Sequence, residues 1–189
     1  SLSMSQLSRS PLDRSLLRPK TDLPLATFSL LLSEMIKYSN GRSRTVQELQ
    51  SKLADFGRHI GSRSLDLLFF RERNGRRELR LKNALFLVKS SLWRMLFGKD
   101  CDDLEQSTDD ERTFYFVERE PVTNRFVSFS QKADTNVNCA AFIGGVLEGA
   151  LCSAGFQCQV ATFFSNDVTY YEVKFEPSVL TRDRSLDSR

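Results

Sequence analysis

FGRHIGSRSLD, residues 56–66, decides the fold. Two glycines four apart, Gly57 and Gly61, sit inside a pattern that is otherwise helical. Each costs about 1 kcal/mol against alanine in a helix interior, so their presence predicts a packing reason. Glycines at that spacing leave a smooth patch where another element comes close. A second stretch of the same kind, NCAAFIGGVLEGALCS (residues 138–153), reads as a helix rich in small residues and ended by Gly155. Its Gly144, Gly145 and Gly149 suit tight helix–helix or helix–sheet packing better than phosphate binding, since no P-loop and no GxGxxG after a strand occurs.

Upstream, Thr45-Val-Gln-Glu48 is a capping box that starts the glycine-bearing helix. Val46, Leu49, Leu53, Phe56, Ile60, Leu67 and Leu68 carry it at helical spacing to about Arg73, roughly 40 Å at ~1.5 Å per residue. An earlier helix runs from about Pro24 to Ser39, with Leu25, Phe28, Leu31, Leu32, Met35 and Ile36 as one broad apolar stripe. A third is expected over Glu78–Phe97. One of its faces is Leu81, Ala84, Leu85, Val88, Leu92, Met95 and Leu96, and the roughly opposite stripe is Leu79, Phe86, Trp93 and Phe97. A helix apolar on two sides is buried on two sides, here against the core and against a sheet or a partner.

After an acidic stretch at Cys101–Asp110, expected as a solvated loop, the period changes from 3.6 to 2. Residues 113–120 and 125–130 read as strands joined by a turn at Pro121–Asn124. Residues 156–164 and 169–175 alternate in the same way about a turn at Ser165-Asn166-Asp167, which makes them a hairpin. The expected fold is α+β, an antiparallel four-stranded sheet with helices packed on one side. Residues 1–20 are expected as a flexible arm, 21–176 as one domain and 177–189 as a tail.

Composition narrows the function. The formal charge is +3 with a pI of about 8.7, short of the footprint of a dedicated nucleic-acid binder. Fifteen Phe indicate a core or an interface built on aromatic packing. The four Cys (101, 139, 152 and 158) have no zinc-knuckle spacing and read as free thiols. No apolar run is long enough to span a bilayer. His59 is the one His, set mid-helix, where it reads as solvated or hydrogen-bonded rather than as a base. No catalytic, cofactor-binding or metal-ligating residue is therefore expected, and no cofactor. The basic cluster Arg71, Arg73, Arg76, Arg77, Arg80 and Lys82 reads as a solvated helix end.

FGRHIGSRSLD resembles a stretch characteristic of the TRAPP small-subunit family, the Bet-three superfamily, and GVLEGAL (residues 145–151) is similar to that family's small-residue helix. WRMLFGK (93–99), Leu104-Glu105 and EREPVTNRFVS (118–128) resemble one branch of it. The resemblance covers about Thr21 to Phe175. It marks Gly57, Gly61, Gly145 and Gly149 as structural motif positions, and it implies a non-catalytic scaffold that binds sister subunits, a Bet-three type first among them. The implied assembly is a tether that acts on a Rab-type GTPase in endoplasmic-reticulum-to-Golgi transport, cytoplasmic and peripheral to those membranes. The family's pairing through long helices makes Phe28, Leu32, Met35, Leu49 and Leu53 the expected partner interface. One departure stands out: where the Bet-three type carries an acylated Cys, this chain has Arg77, so no acyl group is expected there. The alternative is a module that encloses an acyl-sized ligand between helices and sheet.

Overall fold

A computed structural model describes residues 22–72, 77–125 and 137–187. Helix α1 spans Leu25–Asn40 and α2 spans Val46–Glu72. The capping box forms at the start of α2: the Glu48 N–H donates to Thr45 Oγ1 at 3.1 Å, and the Glu48 carboxylate accepts from the Arg44 N–H at 2.7 Å. Helix α3 (Leu81–Leu87) runs through a π-turn at Val88–Leu92 into α4 (Trp93–Phe97), and Gly98 ends it at φ +77°. Strands β1 (Asp103–Gln106) and β2 (Thr113–Glu118), helix α5 (Ala141–Ser153), strands β3 (Cys158–Ser165) and β4 (Val168–Phe175) and helix α6 (Pro177–Asp187) follow.

The four strands form one antiparallel sheet in the order β1-β2-β4-β3. The β3–β4 hairpin turns at Asn166 and Asp167, both at positive φ, the backbone of a tight two-residue hairpin turn. One sheet face, with Phe114, Phe116, Tyr171, Val173 and Phe175, closes over Ile143, Leu147 and Leu151 of α5 and Leu85, Leu92 and Trp93 of the α3–α4 helix. Helix α2 packs on α5, and α1 packs on α2. The helices thus cover one face of the sheet, as the sequence pattern predicts.

Three parts differ from the sequence reading. Residues 101–110 are not a solvated loop. They contain the edge strand β1, in which Leu104 alone is half-buried, and several of their exposed carboxylates are engaged: Asp102 accepts from the Arg119 N–H at 2.8 Å. The stretch read as a tail at 177–189 contains α6. Val179 enters the core from it, and Asp183 accepts the Leu81 N–H at 2.8 Å, capping α3 from another helix. The third helix starts at Leu81 rather than Glu78, and its second apolar stripe divides: Trp93 is buried against the sheet, its ring stacked on Phe116 at 5.9 Å, while Leu79 and Phe86 are exposed. A π-turn carries an extra residue per turn, so the helical phase slips after Leu92 and Trp93 swings into the core at 1% exposure. The strand expected at 125–130 falls almost wholly, and the arm at 1–20 entirely, outside the described residues.

Candidate partner interface

The paired glycines of α2 and α5 set the position of everything outside them. A Cβ on Gly57 would stand 2.0 Å from the Phe142 carbonyl oxygen, and one on Gly61 2.0 Å from that of Val146. In return, a Cβ on Gly145 would stand 2.0 Å from the Ala54 oxygen, and one on Gly149 2.1 Å from that of Arg58. The two backbones touch, and any side chain at these four positions would part them. Charge pins the same crossing. Arg58 is ion-paired with Glu148 of α5 at 3.2 Å and with Asp55, while Glu148 Oε2 also accepts the Val160 N–H of β3 at 3.2 Å.

Beside this crossing an apolar stripe runs down the flank of α2: Phe56, Ile60, Leu67 and Phe70 recur at spacings of four, seven and three, with Phe56 packed against the core and Ile60 and Phe70 exposed. Tyr38 of α1 continues it. Its ring meets Phe56 edge-on at 6.2 Å, and the Arg42 guanidinium lies 3.8 Å over its face. On α1 itself Leu30 and Leu31 are 71% and 60% exposed. Elsewhere Leu79, just before α3, is 65% exposed and Phe86 of α3 61%. Phe70 lies fourteen residues beyond Phe56, about 21 Å along the helix axis at ~1.5 Å per residue.

The residues expected to form the interface divide. Leu32, Leu49 and Leu53 are buried within the chain itself. Phe28 and Met35 are half-buried against the core, Phe28 with its ring 6.3 Å from that of Phe142. The sequence reading missed Leu30, Tyr38 and Phe70 as surface groups. The signal was there in part: α1 has more apolar positions than one helix face can bury.

Elsewhere the polar groups serve the fold. Glu118 at the end of β2 is buried, accepting from Tyr171 Oη at 3.1 Å and Trp93 Nε1 at 3.5 Å and paired with Lys99 Nζ at 3.1 Å. Burial pushes its carboxyl above the usual range, and Lys99 pulls the other way. Cys101 is buried beside it, donating to the Val117 carbonyl at 3.2 Å, and burial pushes its thiol up to about 12. His59 is exposed on α2. Arg80 of the basic cluster donates to the Leu186 carbonyl at 2.7 Å, while Arg73 and Arg76 lie outside the described residues. No cluster of three or more His, Cys, Asp or Glu among the described residues is arranged to hold a metal. None of the described helices is long and apolar enough to cross a membrane.

A four-stranded antiparallel sheet covered on one face by glycine-crossed helices, with apolar helix surface left over, is the architecture of a small subunit built for assembly. The family model for the transport protein particle (TRAPP) component matches residues 28–178, and the chain belongs to that family. It is 44% identical over 178 residues, 94% of each chain, to trafficking protein particle complex subunit 5 of Homo sapiens. It is 36% identical to subunit 5 of Dictyostelium discoideum, covering 95% of this chain and all of that one. To subunit 31 of Saccharomyces cerevisiae it is 23% identical, covering 89% of this chain and 81% of the relative. In fold it matches a crystal structure of trafficking protein particle complex subunit 3 from Naegleria fowleri, covalently bound to palmitic acid. The TM-score is 0.68 at 17% identity, over 80% of this chain and 95% of that one.

Proposed function

We propose that this chain is a non-catalytic scaffold subunit of a TRAPP vesicle-tethering complex, joining sister subunits in the assembly that acts as nucleotide exchange factor for a Rab-type GTPase in endoplasmic-reticulum-to-Golgi transport. The observation that carries the reading is the outward apolar stripe of α1 and α2, held rigidly by the glycine crossing beneath it. An exposed apolar stripe at helical spacing is what a partner helix covers. Leu79 and Phe86, exposed away from that stripe, leave apolar groups for another neighbour, which a linking role requires. The names of its relatives support membership of such a complex. The subunit reaches membranes through the complex, as a peripheral component of the cytoplasm.

The test is co-expression with a Bet-three-type sister subunit, read by size-exclusion chromatography with light scattering. A one-to-one heterodimer is expected, and Leu30→Asp with Leu31→Asp is expected to abolish it with the thermal midpoint little changed, since the two side chains are 71% and 60% exposed. A double variant that pairs as the wild type does would remove these residues from the interface. Among those foreseen from sequence, Phe28 and Met35 stay as its inner margin. An Asp at Phe28 removes a ring packed on Phe142, so it weakens the fold as well as the pairing.

The solved subunit 3 is titled as covalently bound to palmitic acid, which raises acyl binding as a second reading. At the position the resemblance assigns to the acylated Cys this chain has Arg77, exposed and without a thiol. Purified chain is expected to show its unmodified mass. A mass raised by an acyl group on any Cys would favour the second reading.

A further inference from the structure

The last turn of α5 and the first residue of β3 bring two thiols together. Cys152 Sγ lies 4.0 Å from Cys158 Sγ, and both are free cysteines. A disulfide needs about 2.05 Å, so about 2 Å of approach separates contact from bond. The intervening turn is held. The Phe156 N–H donates to the Leu151 carbonyl at 2.9 Å, and Gly155 sits at φ +88°, where other residues are strained. Cys152 is half-buried and reachable from solvent, whereas Cys158 lies buried behind it. That is the arrangement of an attacking sulfur in front and a resolving sulfur within reach.

We propose that Cys152 and Cys158 form a dithiol modification site for hydroperoxides, with Cys152 attacking and Cys158 resolving. The Cys152 thiolate attacks a peroxide oxygen: an S–O bond forms, the O–O bond breaks, and the hydroxide released takes a proton and leaves as water. The sulfur is oxidised to sulfenic acid and the peroxide is reduced. The Cys158 sulfur then attacks Cys152 Sγ: the S–S bond forms, the S–O bond breaks, and the departing hydroxide leaves as water with the Cys158 proton. Two thiols and one hydrogen peroxide become one disulfide and two waters.

The other thiols of the chain are poor competitors. Hydrogen bonding from Cys158 lowers Cys152 to about 7 against the opposing effect of burial, while that same bond and burial raise Cys158. Burial pushes Cys101 up to about 12 and Cys139 up to about 11. Reactivity follows thiolate and access together, and Cys152 has both. The bridge would also act on α6. Arg182 of that helix donates to the Gly155 carbonyl at 2.9 Å and lies 4.9 Å over the Phe156 ring, so the turn closed by the two sulfurs is the one α6 grips.

The test is peroxide treatment of the full chain, followed by denaturation, alkylation of the remaining thiols and mass spectrometry. Chymotryptic cleavage after Phe156 separates the two cysteines, so bridged peptides travel together only if the bond has formed. The expected result is a loss of two alkylatable thiols and about 2 Da, with Cys152 and Cys158 peptides joined and dithiothreitol restoring both. Cys158→Ser should stop at a sulfenic acid on Cys152, trapped by dimedone. Cys152 oxidised to sulfinic acid with Cys158 still alkylatable would overturn the proposal. So would Cys101 or Cys139 reacting first in protein whose circular dichroism is unchanged.

Discussion

Replacing Gly145 by alanine ought to stabilise an ordinary helix by about 1 kcal/mol. In this molecule it is expected to do the reverse. The new Cβ would lie 2.0 Å from the Ala54 carbonyl oxygen and 2.7 Å from the Ala54 Cα and carbonyl carbon, and ordinary contact begins at 3.4 Å. The obstruction is backbone on both sides, so no rotamer change relieves it. The helices must part by about 1.4 Å. A radial gap of about 0.5–1 Å already forfeits a quarter to a half of a dispersion contact, and the seam between α2 and α5 holds core residues Leu53, Phe142, Val146 and Ala150. Overpacking of this kind costs about 1–3 kcal/mol, and the rigid clash puts it near 3. Subtracting the helix propensity leaves a net loss of about 2 kcal/mol, or a thermal midpoint lower by about 4–8 °C for a domain of this size. Thermal unfolding followed by far-ultraviolet circular dichroism reads it. Gly41→Ala is the internal control. Its φ is −63° and its nearest neighbour would be 3.7 Å away, so its midpoint should hold or rise by up to about 3 °C. A Gly145→Ala protein as stable as the wild type would mean that the two helices do not cross at this contact, and the placement of the outward stripe would fall with it.

Three further outcomes follow from polar groups. Glu118 has its folded pKa raised by burial above the ordinary 4.5, so the stability it contributes is full below 4.5 and declines as pH rises through the folded value. Glu118→Gln, which keeps one acceptor oxygen in place of two, should remove that decline in urea midpoints above pH 4.5, whereas Glu118→Ala strands both buried donors, Tyr171 Oη and Trp93 Nε1, at about 1–3 kcal/mol each. Asp110 is lowered to about 2, first by the Arg112 N–H and then by the Arg112 side chain; its contribution is present above 3.8 and lost as pH falls through about 2, so Asp110→Asn should flatten that part of the acid unfolding curve. Asp183→Ala removes the cap on Leu81 and should cost about 1 kcal/mol, or about 2–4 °C in thermal midpoint, while Ser185→Ala, whose hydroxyl donates to the Arg182 carbonyl within α6, leaves the cap in place.

The helices and the hairpin were legible because their signals are local. Thr45 and Glu48 are three residues apart in one box, and β3 and β4 alternate over eight residues about two turn-forming side chains. What was not legible depends on tertiary partners. Strand β1 is four residues long with only Leu104 turned inward, and charged, short edge strands are built to look unlike strands. Helix α6 carries one core residue, Val179, and otherwise acts through Asp183, Arg182 and Arg184, whose partners lie far away in sequence. The π-turn inserts a residue into a pattern whose period was assumed constant, so Trp93 was grouped with Phe86, which is exposed, although its own ring is buried against the sheet. Which apolar residues face a partner is not legible for a related reason. An apolar stripe reports burial without reporting what buries it, and Leu32, Leu49 and Leu53 were as plausible on a partner as in the core.

The cap that Asp183 places on α3 has a consequence for how the subunit is made. Helix α6 follows in the chain every element that it holds, so during translation the start of α3 stays uncapped until residues 177–187 have left the ribosome. Both helices of the α1–α2 stripe, and the α5 they rest on, emerge before that point. A nascent chain therefore presents the exposed apolar groups of α1 and α2 before the start of α3 is capped, and the neighbour proposed for that stripe could engage it first.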